Sequence, residues 1–153
     1  GLFDPAFDRA PVTRARLTWL LLVLTLPGLC AAEGIVPVPT TAAIVEHARY
    51  PAHQVGQDGT GYDGHYGVLA QYAAGGGAWK VGLWEAGPGT LVPTDYPNDE
   101  YCLVLEGRVE ITNRDGTTAA FGPGDSFVIP KGWAGTWHMP TAFKKQFVAF
   151  HTR

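Results

Sequence analysis

The chain is poor in the residues that carry most enzyme chemistry and most charge-driven binding. Only 16% of its 153 residues are charged, the formal net charge is -3, and the basic residues are scattered. That pattern argues against a nucleic-acid surface. The chain has two cysteines and five histidines, without the spacing of a Cys/His zinc site. A nucleophile elbow and a phosphate-binding loop are missing as well. We therefore expect no nucleic-acid partner.

The composition instead favours a turn-rich β protein with a buried core. Apolar residues make up 46% of the chain, which also holds 20 glycines and 12 prolines and shows no long helical period. Short apolar segments alternate with Gly, Pro and Asp-Gly turns. Because closure removes sheet edges, this pattern predicts an all-β fold, a small antiparallel β-barrel or sandwich. The predicted strands are 66–73, 78–85, 101–105, 108–112, 117–121, 126–129, 136–139 and 145–151.

The first 32 residues have the pattern of a secretory signal. Arg14 and Arg16 precede the apolar run 17–26, and small residues follow it up to Ala32. This order is typical of export, and the run is too short to span a bilayer. We expect a periplasmic or extracellular protein that meets the membrane only during export. Cleavage near Ala32 is preferred to acylation at Cys30, because Leu29 stands where a lipoprotein has a small residue.

The remaining chain divides by composition. We predict an N-terminal extension with the signal peptide at 1–32 and a leader at 33–65 with a helical turn at 41–48. A barrel domain at 66–153 follows. Within the barrel, Tyr101–Leu105 has no polar alternation and is therefore predicted to be buried on both faces. Cys102 would be the single cysteine left after cleavage, and we expect an inert core thiol there.

Two motifs in the barrel segment resemble the signature motifs of the cupin superfamily. Gly89, Glu100 and Gly107 match the glycines and the glutamate of the first motif, whose histidine positions hold Thr94 and Tyr96, or Pro93 and Asp95 with the longer spacing. The second motif matches at Gly124, Pro130 and Gly132, but its histidine position is Gly135. Over residues 78–150 the chain is similar to the small cupins of the ureidoglycine aminohydrolase and ethanolamine-utilisation group, which often carry a degenerate metal site.

The resemblance carries over one metal ligand, Glu100. A divalent ion there would need partners, and the candidates are Asp95 and His138, although strand alternation places His138 on the outer face unless a bulge shifts the register. Aromatic residues around the barrel mouth could form a small-ligand pocket instead. The predicted pocket residues are Tyr96, Glu100, Trp84, Trp133 and Trp137.

The sequence is compatible with three functions. The preferred one is an exported cupin that binds a small polar molecule in the barrel mouth, with no assured catalysis. The alternative is a metal-dependent hydrolase or isomerase in which Glu100 holds the divalent ion as a Lewis acid. The third is a structural homodimer, because the resemblance implies pairing of such barrels through an edge strand. A barrel filled with side chains and without a cavity would favour the third.

Overall fold

A computed structural model describes residues 34–151 of the chain. The predicted signal segment 1–32, including Cys30, lies outside the described residues, so export stays a prediction. From Ile35 onward the chain forms one compact unit. Within residues 34–151, no helix is both long enough and apolar enough to cross a membrane.

The fold is all-β, as the turn spacing predicts. The predicted strands all form, with ends that differ by at most two residues, and two further strands, β1 and β4, are added. In chain order the strands of the described part are β1 (Glu46–Arg49), β2 (His65–Ala74), β3 (Trp79–Ala86), β4 (Gly89–Leu91), β5 (Asp99–Glu106), β6 (Val109–Asn113), β7 (Thr118–Phe121), β8 (Ser126–Ile129), β9 (Gly135–Met139) and β10 (Phe143–Phe150).

These strands form two antiparallel sheets. The larger has the order β1-β2-β3-β10-β5-β8, and the smaller has the order β4-β9-β6-β7. The hairpin between β6 and β7 turns at Asp115-Gly116, where Gly116 has a φ of 86°. This is the positive φ that a tight hairpin turn requires. The β5–β10 pairing contains a register shift between Lys144 and Lys145.

The core lies between the two sheets and is built by strand alternation. In β5 the buried positions are Glu100, Cys102 and Val104, and in β9 they are Trp137 and Met139. Alternate residues of a strand share a face, so these side chains all point inward. Several aromatic rings fill the space between the sheets, among them Trp84, Phe127, Trp137 and Phe143.

Two local predictions about the strands were wrong. The predicted helical turn at 41–48 is absent, and its last residues begin β1, which pairs with β2 at the edge of the larger sheet. All four β1 residues are exposed, so no alternation revealed a strand there. The Tyr101–Leu105 segment is buried on one face only, because Tyr101 lies on the outer face and is 43% exposed.

Part of the predicted leader is joined to the barrel. The Gly56 N–H donates to the Thr90 carbonyl at 2.9 Å, and the Val92 N–H donates to the Gln54 carbonyl at 2.8 Å. Val55 forms an isolated bridge with Leu91. Residues 54–56 therefore continue the smaller sheet beyond β4.

Gly107 is the glycine of this fold that should tolerate a side chain least. Its φ is 74°, and an added Cβ would lie 2.0 Å from the Ala142 carbonyl oxygen. Gly116 has a similar φ, but nothing lies within 4 Å of its Cβ position. We expect Gly116→Ala to cost about 1 kcal/mol of unfolding free energy from φ strain alone. Gly107→Ala should cost at least about 3 kcal/mol, because a backbone clash adds to that strain.

Urea denaturation of the two variants, followed by tryptophan fluorescence, measures this difference. Equal losses would mean that the clash at Gly107 relaxes freely and that this turn does not constrain the barrel.

Candidate functional site

A pocket of about 370 Å³ opens at one end of the barrel. The strands supply its base and the loops supply its rim, and most of its lining is aromatic or apolar. A small-ligand site in a protein usually has this make-up, an apolar wall with a few polar groups. The lining includes Tyr50, Gln54, Trp84, Asp95, Tyr96, Trp137 and Lys145.

The rim loop between β4 and β5 is held by backbone hydrogen bonds to the second-motif turn. The Tyr96 N–H donates to the Trp133 carbonyl at 2.9 Å, and the Gly132 N–H donates to the Tyr96 carbonyl at 2.7 Å. These bonds fix the backbone on both sides of the Tyr96 side chain. The two sequence motifs thus meet in space and together position one wall of the pocket.

A buried ion pair lies at the base of the pocket. Lys145 Nζ donates to Glu100 Oε1 at 2.5 Å, and the two side chains are 5% and 9% exposed. Lys145 Nζ also lies 3.5 Å from Cys102 Sγ, and 5.2 Å and 4.9 Å from the ring centres of Trp84 and Trp137. The ammonium is therefore stabilised both by a carboxylate and by two aromatic faces.

Electrostatics keep Lys145 charged. Burial alone would lower the pKa of Lys145, but the Cys102 sulfur and the Glu100 carboxylate offset burial and hold that pKa well above its ordinary value. On the alkaline side, the contribution of Lys145 to stability is therefore fully present up to the unfolded lysine pKa. It is lost only as the pH rises through the higher folded pKa.

The remaining members of the cluster are neutral donors. Tyr96 donates its hydroxyl to Glu100 Oε2 at 3.0 Å, and the Cys102 thiol donates to Glu100 Oε1 at 3.3 Å. Burial is the main cause that raises the pKa of Tyr96, and burial likewise raises the pKa of Cys102 to about 12. Both oxygens of Glu100 are thus occupied by donors from the protein itself.

The predicted metal ligands do not assemble into a metal site. Between residues 34 and 151, no three His, Cys, Asp or Glu side chains come close enough together to hold a metal ion. Glu100, the ligand carried over from the cupin pattern, is bonded to an ammonium, and a second cation beside Lys145 would be repelled. Asp95 lines the rim of the pocket instead. The residues at this site therefore do not fit a divalent ion.

His138 lies on the outer face of β9, as strand alternation predicts without a bulge. Its Nδ1 is 2.8 Å from the Thr90 hydroxyl, and Thr90 in turn donates to Asp58 Oδ2 at 2.5 Å. Hydrogen bonds from Thr60 and Thr90 lower the pKa of Asp58 to about 2. His138 therefore helps to tie the segment around Asp58 to the barrel and does not line the pocket.

Of the predicted pocket residues, the structure brings four together and leaves one out. Tyr96, Trp84 and Trp137 line the pocket, and Glu100 lies behind them, bonded to Tyr96 and Lys145. Trp133 lies elsewhere: its indole N–H donates to Asn113 Oδ1 at 2.8 Å, and its ring lines a different surface depression.

The indole N–H of Trp137 has no acceptor among the described residues, because its Nε1 atom is buried and makes no hydrogen bond. The buried indole N–H of Trp84 makes no hydrogen bond of ordinary geometry either, but it points to the Tyr50 hydroxyl. Burial raises the pKa of Tyr50 to about 12, against the opposing effects of the Lys145 charge and of the nearby Trp84 indole. A buried N–H without an acceptor is costly, so the Trp137 group favours an acceptor from outside the protein.

Sequence reasoning missed several lining residues, among them Tyr50, Gln54 and Lys145. The first two lie in the segment predicted as a loose leader, where no pattern marks them as pocket residues. Lys145 did carry a signal: it alternates with Phe143 and Phe147, which places it on the core face of β10. A lysine on an apolar face at that spacing indicates a buried charge that needs a partner.

Comparisons with known proteins agree with this architecture. The family described as EutQ-like cupin domain matches residues 73–147. No curated protein sequence matches the chain significantly.

Among solved structures, similar ones include a protein named ethanolamine utilization protein Q from Salmonella typhimurium, with 24% identity and a TM-score of 0.50 over 57% of this chain and 71% of that one. The EutQ protein from Clostridium difficile has 18% identity and a TM-score of 0.51 over 68% of this chain and 81% of that one. A DUF861-family protein of unknown function from Pseudomonas syringae has 13% identity and a TM-score of 0.65 over 73% of this chain and 46% of that one. At these identities the structural likeness shows the fold alone.

Removal of one member of the ion pair should be costly. Lys145→Met leaves Glu100 as a buried charge without its counterion, and we expect it to lower the unfolding free energy by about 3–5 kcal/mol. The double variant Lys145→Met/Glu100→Gln removes both charges and should recover at least half of that loss. A double-mutant cycle from urea denaturation measures the coupling, and additive losses would contradict a coupled pair.

Cys102 should be unreactive in the folded protein. A thiol whose pKa is raised to about 12 has almost no thiolate at pH 8, and its reactivity should increase only as the pH rises toward that value. In a Cys30→Ser background, a disulfide reagent such as Ellman's reagent should label no thiol in native buffer and one thiol in urea. Rapid labelling of the native protein at pH 8 would contradict this description of the cluster.

Proposed function

The chain belongs to the cupin superfamily, as a relative of EutQ-like proteins, and from this premise we propose that its barrel mouth binds a small polar molecule. The observation that carries the proposal is the buried indole N–H of Trp137, which has no acceptor among the described residues although Trp137 lines the pocket. A bound molecule with an oxygen acceptor would satisfy it.

The size and the lining of the pocket support binding over a purely structural role. A volume of about 370 Å³ suits a molecule of the size of a single substituted ring. The aromatic walls supply dispersion contacts and hydrophobic burial for the body of the molecule, and the polar groups at the base orient it. A structural protein has no need of such a cavity, because a filled core is more stable.

Metal-dependent catalysis is not part of the proposal. Both oxygens of Glu100 already accept hydrogen bonds from Lys145, Cys102 and Tyr96, and the ammonium of Lys145 would repel a metal cation at the same carboxylate. The same contacts make it a strong positioning group, because they fix the ammonium and the Tyr96 hydroxyl at the base of the pocket.

Removal of the Trp137 N–H should weaken ligand binding. Trp137→Phe keeps an aromatic ring but removes the donor, and the loss of one hydrogen bond, about 1 kcal/mol, corresponds to a weakening of about five- to tenfold. The test is a screen of a small-fragment library against the wild-type chain by saturation-transfer NMR, followed by titration of each hit into the variant.

Trp133→Phe is the matched control, because its N–H already has the Asn113 acceptor and its ring lies outside the pocket. We expect the control to bind the hits as the wild type does. A library without hits, or hits that bind Trp137→Phe with unchanged affinity, would exclude this pocket as the binding site.

A further inference from the structure

Lys145 gives this pocket an unusual charge distribution. Its ammonium is the one positive charge among the residues that line the pocket, and it is already paired with Glu100 and placed over two aromatic faces. Both the Coulomb attraction and the cation–π attraction of the site are therefore used within the protein. The groups of the pocket that are not already paired therefore determine which ligand charge the site accommodates.

An organic cation is disfavoured at this site. Rings such as Trp84 and Trp137 often bind alkylammonium groups through their π faces. Here Lys145 Nζ already lies 4.9 Å and 5.2 Å from the two ring centres. A second cation at the base would lose its hydration and find the Glu100 carboxylate and both ring faces already engaged by Lys145.

An anion is disfavoured for the opposite reason. The positive charge of Lys145 is neutralised by Glu100 at 2.5 Å, and the other polar lining charge, Asp95, is a carboxylate at the rim. Tyr96 and Cys102 are neutral donors that serve Glu100. A bound anion would lose its hydration and meet no uncompensated positive charge in return.

The base nevertheless offers donors. Lys145 has three N–H bonds, and its contacts with Glu100 and Cys102 use two of them. The indole N–H of Trp137 has no acceptor among the described residues. These groups can donate to an oxygen of the ligand, whereas the Glu100 carboxylate already accepts three hydrogen bonds, two at Oε1 and one at Oε2, and has little acceptor capacity left.

We propose that the pocket selects an uncharged small molecule that presents a carbonyl oxygen to Lys145 and Trp137. Lys145 thereby acts as a resident cation at Glu100, the place where the cupin pattern would put a metal ion, and polarises the carbonyl of the ligand. This inference rests on the proposed function, and it adds the chemical class of the ligand.

Matched triplets of probes that differ only in charge test the inference. Benzamide, benzoate and benzylammonium share one ring, and the corresponding cyclohexane compounds form a second triplet. Titrations into the wild-type chain at pH 7, followed by ligand-observed NMR, should give the uncharged amides an affinity at least tenfold higher than that of either charged form. Tighter or equal binding by a charged member, or no binding by either amide, would overturn the inference.

Variants separate the role of the ion pair from general stability. Lys145→Met/Glu100→Gln removes both charges while it keeps the side-chain volumes, and it should weaken amide binding at least tenfold and abolish the preference over the charged forms. Lys144→Met is the matched control, because Lys144 lies on the opposite face of β10 and outside this pocket. Should the double variant fail to fold, Trp137→Phe provides the same comparison through loss of its N–H alone.

The two proposals fail in different ways. If fragments bind in a Trp137-dependent manner but the amides show no preference, the ligand class is wrong and the binding pocket stands. If no fragment binds in a Trp137-dependent manner, the binding function itself is wrong, and the ligand class is overturned with it.

Discussion

The buried ion pair between Glu100 and Lys145 is the interaction on which the rest of the site depends. A carboxylate in the core of a barrel is tolerated only with a counterion and with donors to its remaining lone pairs. Lys145 supplies the counterion, and Tyr96 and Cys102 supply the donors. The pair therefore joins β5 to β10 and orients the pocket-lining hydroxyl of Tyr96. Because the two charges cancel, the base of the cavity carries no net charge.

This ion pair gives a physical reason why the chain keeps one metal-ligand position of the cupin pattern, Glu100. The pattern keeps a glutamate at 100 but holds no histidine at 94, 96 or 135. A lone carboxylate without a metal would leave a buried negative charge uncompensated. The ammonium of Lys145, on β10, compensates this negative charge without any histidine ligand. One position of the motif is thus retained for its charge, although the metal chemistry of the pattern does not fit this chain.

The sequence predicted the barrel well because turns are local. Asp115-Gly116 and the glycine-rich turn before β8 mark strand ends through backbone preferences that act within a few residues. Strand alternation also placed His138 correctly on the outer face. The burial of Lys145 could have been predicted from its alternation with Phe143 and Phe147. Its pairing with Glu100 and the role of Tyr50 could not, because these contacts join segments far apart in the chain. Trp133 was assigned to the pocket for its residue type, and only its contact with Asn113 shows that it faces elsewhere.

One wall of the pocket comes from outside the segment that the family shares. Tyr50 and Gln54 line the pocket, whereas the EutQ-like match begins at residue 73. The barrel thus supplies the base of the pocket with its ion pair, and residues 50–56, which are hydrogen-bonded to Thr90 and Val92, supply a separate wall. Substitutions in residues 50–56 would change which molecules the pocket admits without touching the buried ion pair, so recognition and architecture can evolve on separate stretches of one chain.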